Sequence, residues 1–368
     1  MAILHDLTLS VVDNDSGIGA PQLLAQLVVE AEKAGASDIH LHMQGDHALV
    51  RVRLDGVLTT LQPIANPLAE RVFGRIKYLA RLKTYQDSLP QEGRIERAAI
   101  GLQNDLRVAT YPTVTGEKIV LRLFHSAPGL SLEKMGFLES VRDELIEFLQ
   151  QNGGLLLLTG PAGSGKTTTI YGCLRHLSCQ GGKHVITVED PVEQVVEGVM
   201  QTEVNENLGL TFAEASRHLL RQDPEVLVIG EIRDEETAKI AVRAALTGHL
   251  TISTLHAGSC MGVVERLMAM CPDNYAVLSA LSLIINQRLV RRLCIQCQGK
   301  GCEECWLTGY RGRLPIAEWT KVDDDLSLRI KTNGMKEVQP PVSLAEAARM
   351  CVESGYTDTK EIQRILGL

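Results

Sequence analysis

The sequence predicts an α/β fold: a mostly parallel sheet wrapped in helices, preceded by a smaller α+β domain and interrupted by a cysteine-rich insertion. Three observations carry that expectation. Short apolar runs at 155–158, 185–188, 226–229 and 250–255 recur between helix-length segments and turn residues, as buried parallel strands do. Before about residue 125 the chain instead alternates apolar and polar residues with period two, between two helical stretches. Four cysteines then crowd into positions 294–305.

In chain order, residues 1–20 read as a polar N-terminal arm. An amphipathic helix follows from about Pro21, with Leu23, Leu24, Leu27, Val28 and Ala31 on one face. Alternating strands come next at 39–42 and 48–54, the second closed by Asp55-Gly56. A second helix over about 67–82 and strands at 93–110 and 117–124 complete a domain over 21–125. Ser126-Ala127-Pro128-Gly129-Leu130-Ser131 opens a linker over 126–137. The α/β core is expected over 138–293, the cysteine module over 294–313 and a helical region over 314–368.

Composition narrows the function. The 368 residues are 45% hydrophobic and 22% charged, the profile of a soluble globular chain. Lys plus Arg number 37 against 45 for Asp plus Glu, a net charge of −8 that disfavours nucleic acid as the main ligand. No apolar run approaches the roughly 18 residues a membrane helix needs. An acid at Asp6 stands where a signal peptide would carry a base. Nine cysteines, an odd number with four clustered, suggest metal binding rather than a disulfide scaffold.

The sharpest motif is Gly160-Pro161-Ala162-Gly163-Ser164-Gly165-Lys166-Thr167, followed by Thr168. It matches G-x-x-x-x-G-K-[ST] and lies between an apolar strand and a helix-compatible run, the context such a loop requires. Its glycines let backbone N–H groups converge on phosphate oxygens, and the helix N-terminus adds a favourable dipole. Lys166 can reach the β and γ phosphates, and the Thr167 hydroxyl can ligate Mg²⁺. The second strand ends in Glu189-Asp190-Pro191-Val192-Glu193, three carboxylates within five residues, which read either as a functional acidic loop or as a solvated turn. The third strand ends in Gly230-Glu231, the pattern of a carboxylate delivered to a Mg²⁺ shell. His256 ends the fourth, where it can face the γ phosphate or be structural.

Together these motifs resemble those of the type II secretion and type IV pilus assembly ATPases. In that family the loop at 160–167 opens a RecA-like domain, Glu189–Glu193 resembles its Asp box, and Leu220–Glu225 with Gly230–Asp234 its Walker B region. Thr247–His249 with Ser253–His256 resembles its His box, and 287–294 and 309–313 also fit. The first domain resembles the family's PAS-like N-terminal domain through Ala36-Ser37-Asp38-Ile39-His40, Asp55-Gly56, Pro90–Arg94 and Thr115–Lys118. The resemblance spans about residues 20–320. It implies that Glu193 activates the attacking water and that Glu231 holds Mg²⁺. It also implies that Arg107 and Arg122 act as arginine fingers, each otherwise readable as a surface arginine.

Several positions depart from the family pattern. Glu92 replaces an Asp, His42-Met43 replaces Glu-Pro, and Ala257-Gly258-Ser259 replaces Thr-Asn-Asp after the second His-box histidine. The resemblance also implies a short form without the extra N-terminal domain of many relatives, whether natural or truncated.

Cys294-x2-Cys297-x4-Cys302-x2-Cys305 offers two thiolate pairs and a closed tetrahedral shell for a structural Zn²⁺. A redox dithiol pair and an iron–sulfur cluster are the alternatives. By the resemblance, a tetracysteine element favours an assembly motor over a retraction motor. The resemblance thus implies a function: an ATP- and Mg²⁺-dependent ring, expected to be a hexamer, that powers assembly of a type IV pilus or type II secretion pseudopilus from the cytoplasmic side of the inner membrane. It would turn an inner-membrane platform protein without inserting into the membrane itself. A DNA-translocating RecA-like ATPase is the alternative, opposed by the acidity and the 4% aromatic content. A nucleotide-gated scaffold without hydrolysis is a third reading.

Overall fold

The computed structural model describes residues 18–99, 105–123 and 129–367. The chain separates into two compact units, one of residues up to 127 with 291–312, the other of 128–290 with 313–368. Most of the arm at 1–20 and the start of the 126–137 linker lie outside the described residues. The cysteine module, read from the sequence as a segment of its own, groups with the first unit.

In the first unit, helix α1 (Ala20–Lys33) buries Leu23, Leu24, Leu27, Val28 and Ala31, the stripe that a 3.6-residue period aligns. Strands β1 (Asp38–Gln44), β2 (His47–Leu54), β3 (Val57–Thr60) and β4 (Ile64–Ala65) precede helix α2 (Leu68–Leu79). Strands β5 (Gln91–Ile95), β6 (Leu106–Thr113) and β7 (Gly116–Leu123) follow it. The antiparallel sheet runs β3-β2-β1-β7-β6-β5, with β4 beside β2. One face, through Ile39, Leu41, Val50, Val52, Val108, Ile119 and Leu121, shares a core with the two helices. Because side chains alternate along each strand, the other face carries the charge. Register aligns Arg94, Arg107, Arg122, Asp38 and Arg53 in one row across five strands.

Lys77 of α2 is 2% exposed and its ammonium bonds Asp87 (2.5 Å), Glu117 (2.8 Å) and the carbonyl of Gln86 (3.2 Å). Removing one partner of such a pair strands a buried charge. Lys77→Met is therefore expected to destabilise the first unit by about 3 kcal/mol in urea unfolding; a change below about 1 kcal/mol would show that Glu117 is adequately solvated.

The second unit begins with α3 (Glu139–Gln150), β8 (Gly154–Thr159), α4 (Lys166–Gln180), β9 (Val185–Glu189) and β10 (Val199–Glu203). It continues with α5 (Phe212–Leu219), β11 (Val226–Ile229), α6 (Glu235–Leu246), β12 (Leu250–Thr254), α7 (Cys260–Met270) and α8 (Asn274–Ala280). Strands β13 (Leu281–Leu293) and β14 (Tyr310–Lys321) and helices α9 (Asp324–Asn333), α10 (Leu344–Glu353) and α11 (Thr359–Leu366) complete the chain. The sheet order is β10-β9-β11-β12-β8-β13-β14, parallel from β10 through β13. Leu155 and Leu157 face a core shared with α5–α8, while Leu156 and Leu158 face one shared with α3 and α4. Burial on both faces explains why these strands read as continuous apolar runs. It also places the polar strand ends at a single carboxyl edge, where ligands bind in such sheets.

Candidate nucleotide-binding and hydrolysis site

The loop after β8 is shaped by its glycines. Gly160 has φ +140°, and a Cβ there would stand 2.3 Å from the carbonyl oxygen of Gln287. Gly165, at φ +90°, caps α4, and its Cβ would meet the Gln287 side chain at 2.8 Å. Only glycine fits either position. Lys166 Nζ donates to the carbonyls of Gly160 (2.9 Å) and Pro161 (3.1 Å). Burial, with Arg288 nearby, pushes its ammonium below its ordinary range, while Glu231 works the other way.

One cleft gathers Ala162, Gly163, Lys166 and Thr167 from this loop, Glu189, Asp190 and Glu193 from the end of β9, Glu231 after β11 and His256 after β12. Gly160, Pro161, Ser164 and Gly165 frame the loop, and Thr168 is exposed on the first turn of α4. Glu231 accepts from Arg233 Nε at 2.6 Å and stands 3.7 Å from His256 Nε2. Arg233 also reaches Asp190 at 3.3 Å and lies over the Phe212 ring at 5.6 Å. The donor set suits a hard cation: the Thr167 hydroxyl and Glu231 carboxylate are oxygen ligands on one cleft.

The two glutamates of the acidic loop differ sharply. Glu193 is exposed at the cleft, whereas Glu189 is 7% exposed. Glu189 accepts hydrogen bonds from Tyr171 Oη (2.5 Å), Thr187 Oγ1 (2.6 Å) and Gln201 Nε2 (2.9 Å). Its carboxylate is thus engaged in holding the wall together. Arg107 and Arg122 belong to the first unit. Arg122 Nε donates to Asp38 at 3.0 Å; burial would raise the Asp38 carboxyl, but Arg122 and Ser37 outweigh it and hold it below the usual range.

The Ala257-Gly258-Ser259 departure leaves its loop well held. Ala257 exchanges two 2.9 Å hydrogen bonds with the Thr159 hydroxyl, and the Ser259 hydroxyl caps α7 by accepting from Gly262 N at 3.1 Å. Sequence reasoning assigned no role to Gln287, whose amide donates to Ser164 O at 2.7 Å while its Oε1 accepts from Thr169 at 3.0 Å. Two polar residues, Asn286-Gln287, inside an apolar strand were the available signal. Arg233 and Tyr171 likewise join the site without a role read from the sequence; Arg233 stands within Gly230–Asp234, and Tyr171 gives no signal inside its helix.

The family described as "Type II/IV secretion system protein" matches residues 14–364. The chain belongs to that family. Among relatives, it is 39% identical to the putative type II secretion system protein E of Escherichia coli K12, over 96% of this chain and 78% of that protein. Among solved structures, the Legionella pneumophila ATPase DotB superposes with a TM-score of 0.73 at 21% identity, covering 93% of this chain and 94% of that one. The pilus retraction motor PilT, solved with bound ADP, superposes with a TM-score of 0.66 at 26% identity, covering 92% and 95%. This secretion-family chain is an ATP-hydrolysing enzyme with a RecA-like second unit, which favours the motor reading over a DNA translocase. Among the described residues no helix is long and apolar enough to cross a membrane.

The four clustered cysteines converge: Cys294 to Cys302 is 3.8 Å, and Cys297 to Cys305 and Cys302 to Cys305 are each 3.7 Å between sulfurs. Ligands of a tetrahedral Zn²⁺ at about 2.3 Å stand about 3.8 Å apart, so the quartet fits that ion. Amides of Gly301 (3.2 Å) and Gly309 (3.3 Å) donate to Cys297 and Cys305 sulfurs. Cys173 and Cys260 are buried apart from this cluster, and desolvation pushes both thiols up to about 12. The module is tied to its own unit by Trp306, which packs on the first unit's core, and by Gly312 N donating to Asp55 at 2.9 Å.

Proposed function

We propose that this chain is the ATP-driven motor of a type II secretion or type IV pilus assembly machine, acting as a Mg²⁺-dependent hexamer at the cytoplasmic face of the inner membrane on a membrane-embedded platform protein. The observation that carries this reading is one cleft uniting the phosphate loop with two acidic strand ends and the histidine after a third. Loop amides and Lys166 cradle the phosphates, and Thr167 with Glu231 would hold Mg²⁺, which when bound neutralises charge on the β and γ oxygens. Glu193 takes the proton of the attacking water. His256, 3.7 Å from Glu231, senses the γ position. Arg107 and Arg122 serve as arginine fingers, and the cysteine quartet holds a structural Zn²⁺.

Turnover measured across protein concentrations, with mass by light scattering, tests the ring. The rate per chain is expected to rise in step with the hexamer, and Arg122→Ala to lower it by about 10³-fold. A monomer with a concentration-independent rate would sink the ring, and an Arg122→Ala variant with wild-type turnover would sink the fingers.

A further inference from the structure

Tyr171 lies on α4, one turn beyond the phosphate loop, and is 3% exposed. Its hydroxyl donates its one proton to Glu189 Oε2 at 2.5 Å. The Tyr171 hydroxyl oxygen in turn accepts from two consecutive backbone amides, Glu193 N at 3.0 Å and Gln194 N at 3.1 Å. One donor and two acceptor positions exhaust what a phenol offers. A second post stands opposite: Gln201 of β10 donates to Glu189 Oε1 (2.9 Å) and Gln194 O (3.0 Å), and accepts from Val196 N (2.7 Å). From α4, Arg175 also donates to Gln194 Oε1 at 3.2 Å. The loop bearing Glu193 is thus fastened to the helix that begins at the phosphate-binding loop.

We infer that the Tyr171 hydroxyl, oriented by the buried Glu189 carboxylate, is the positioning group that fixes the backbone of Glu193 and sets the reach of its carboxylate to the attacking water. This rests on the assignment of Glu193 as general base. Glu189 then acts through Tyr171 rather than on water, and the two carboxylates of the acidic loop divide into an orienter and a base. A base displaced by about 1 Å loses on the order of 10²-fold in rate without loss of substrate binding.

The test is Tyr171→Phe, which keeps ring and volume and deletes only the hydroxyl, with Glu189→Gln as a second variant and Glu193→Ala as reference. In the 368-residue chain, kcat is expected to fall about 10- to 100-fold in Tyr171→Phe. KM for ATP and the affinity for a nonhydrolysable ATP analogue should stay within about twofold, since Lys166 and the loop amides are untouched. Glu189→Gln, whose single amide oxygen cannot accept from both the phenol and the Thr187 and Gln201 donors, should also lower kcat with analogue affinity kept. Added to Glu193→Ala, Tyr171→Phe should cost nothing further, because the group it positions is gone. A wild-type kcat in Tyr171→Phe overturns the inference, as does a loss of analogue affinity in proportion to kcat, which would mark general support of the site. Full activity in Glu193→Ala would instead overturn the general-base assignment itself.

Discussion

Lys166→Ala is expected to lower ATP turnover by at least about 10³-fold, as removal of a preorganised charge from a transition state does. The ammonium is partly desolvated at the floor of the cleft, so its interaction with phosphate is poorly screened by water. Its stem starts at the first residue of α4, and Gly160 and Pro161 carbonyls 2.9 and 3.1 Å away hold its tip beside the loop. No described residue of the cleft other than Lys166 supplies a lysine there. Phosphate release under saturating ATP measures the effect, and a variant keeping a tenth of the wild-type rate would remove the phosphate loop from the chemistry.

Cys302→Ser is expected to lower zinc content from about one equivalent per chain to below about a tenth, because a structural site needs all four ligands. The Cys302 sulfur lies 3.8 and 3.7 Å from those of Cys294 and Cys305, so its loss removes one corner of the tetrahedral shell. Structural zinc contributes about 10–16 kcal/mol to isolated finger modules, and several kcal/mol of local stability should go with it here. Trp306 follows Cys305 directly and packs on the first unit's core, so its emission should shift to the red as the knuckle loosens. A wild-type protein that binds no zinc when refolded with it, or a variant with unchanged metal content, would contradict the assignment. A brown, iron-loaded chain would point to a cluster instead.

Much of this was legible before the fold. The helix stripe Leu23, Leu24, Leu27, Val28, Ala31 is the buried face of α1, because a 3.6-residue period leaves little choice. The four apolar runs became β8, β9, β11 and β12, and their polar ends met on one edge because parallel strands deliver their C-termini together. What stayed hidden were partnerships made across long separations. A single sequence does not show that Tyr171 would meet Glu193, 22 residues on, or that Gln287 would meet Ser164, 123 residues back. Nor does it separate Glu189 from Glu193, since that difference comes from burial on β9 against exposure in the loop after it. The grouping of the cysteine module with the first unit depends on Trp306 and Asp55, which no spacing rule connects.

Glu193, presented at the phosphate-loop cleft, is proposed to activate the water that cleaves ATP. ATP turnover by Glu193→Gln, measured beside its affinity for a nonhydrolysable ATP analogue, tests it most directly. Turnover should fall by at least about 10²-fold with affinity unchanged, since a neutral amide still lines the cleft and takes no proton. Turnover within about threefold of the wild type would contradict it and require the base to be another group of the cleft.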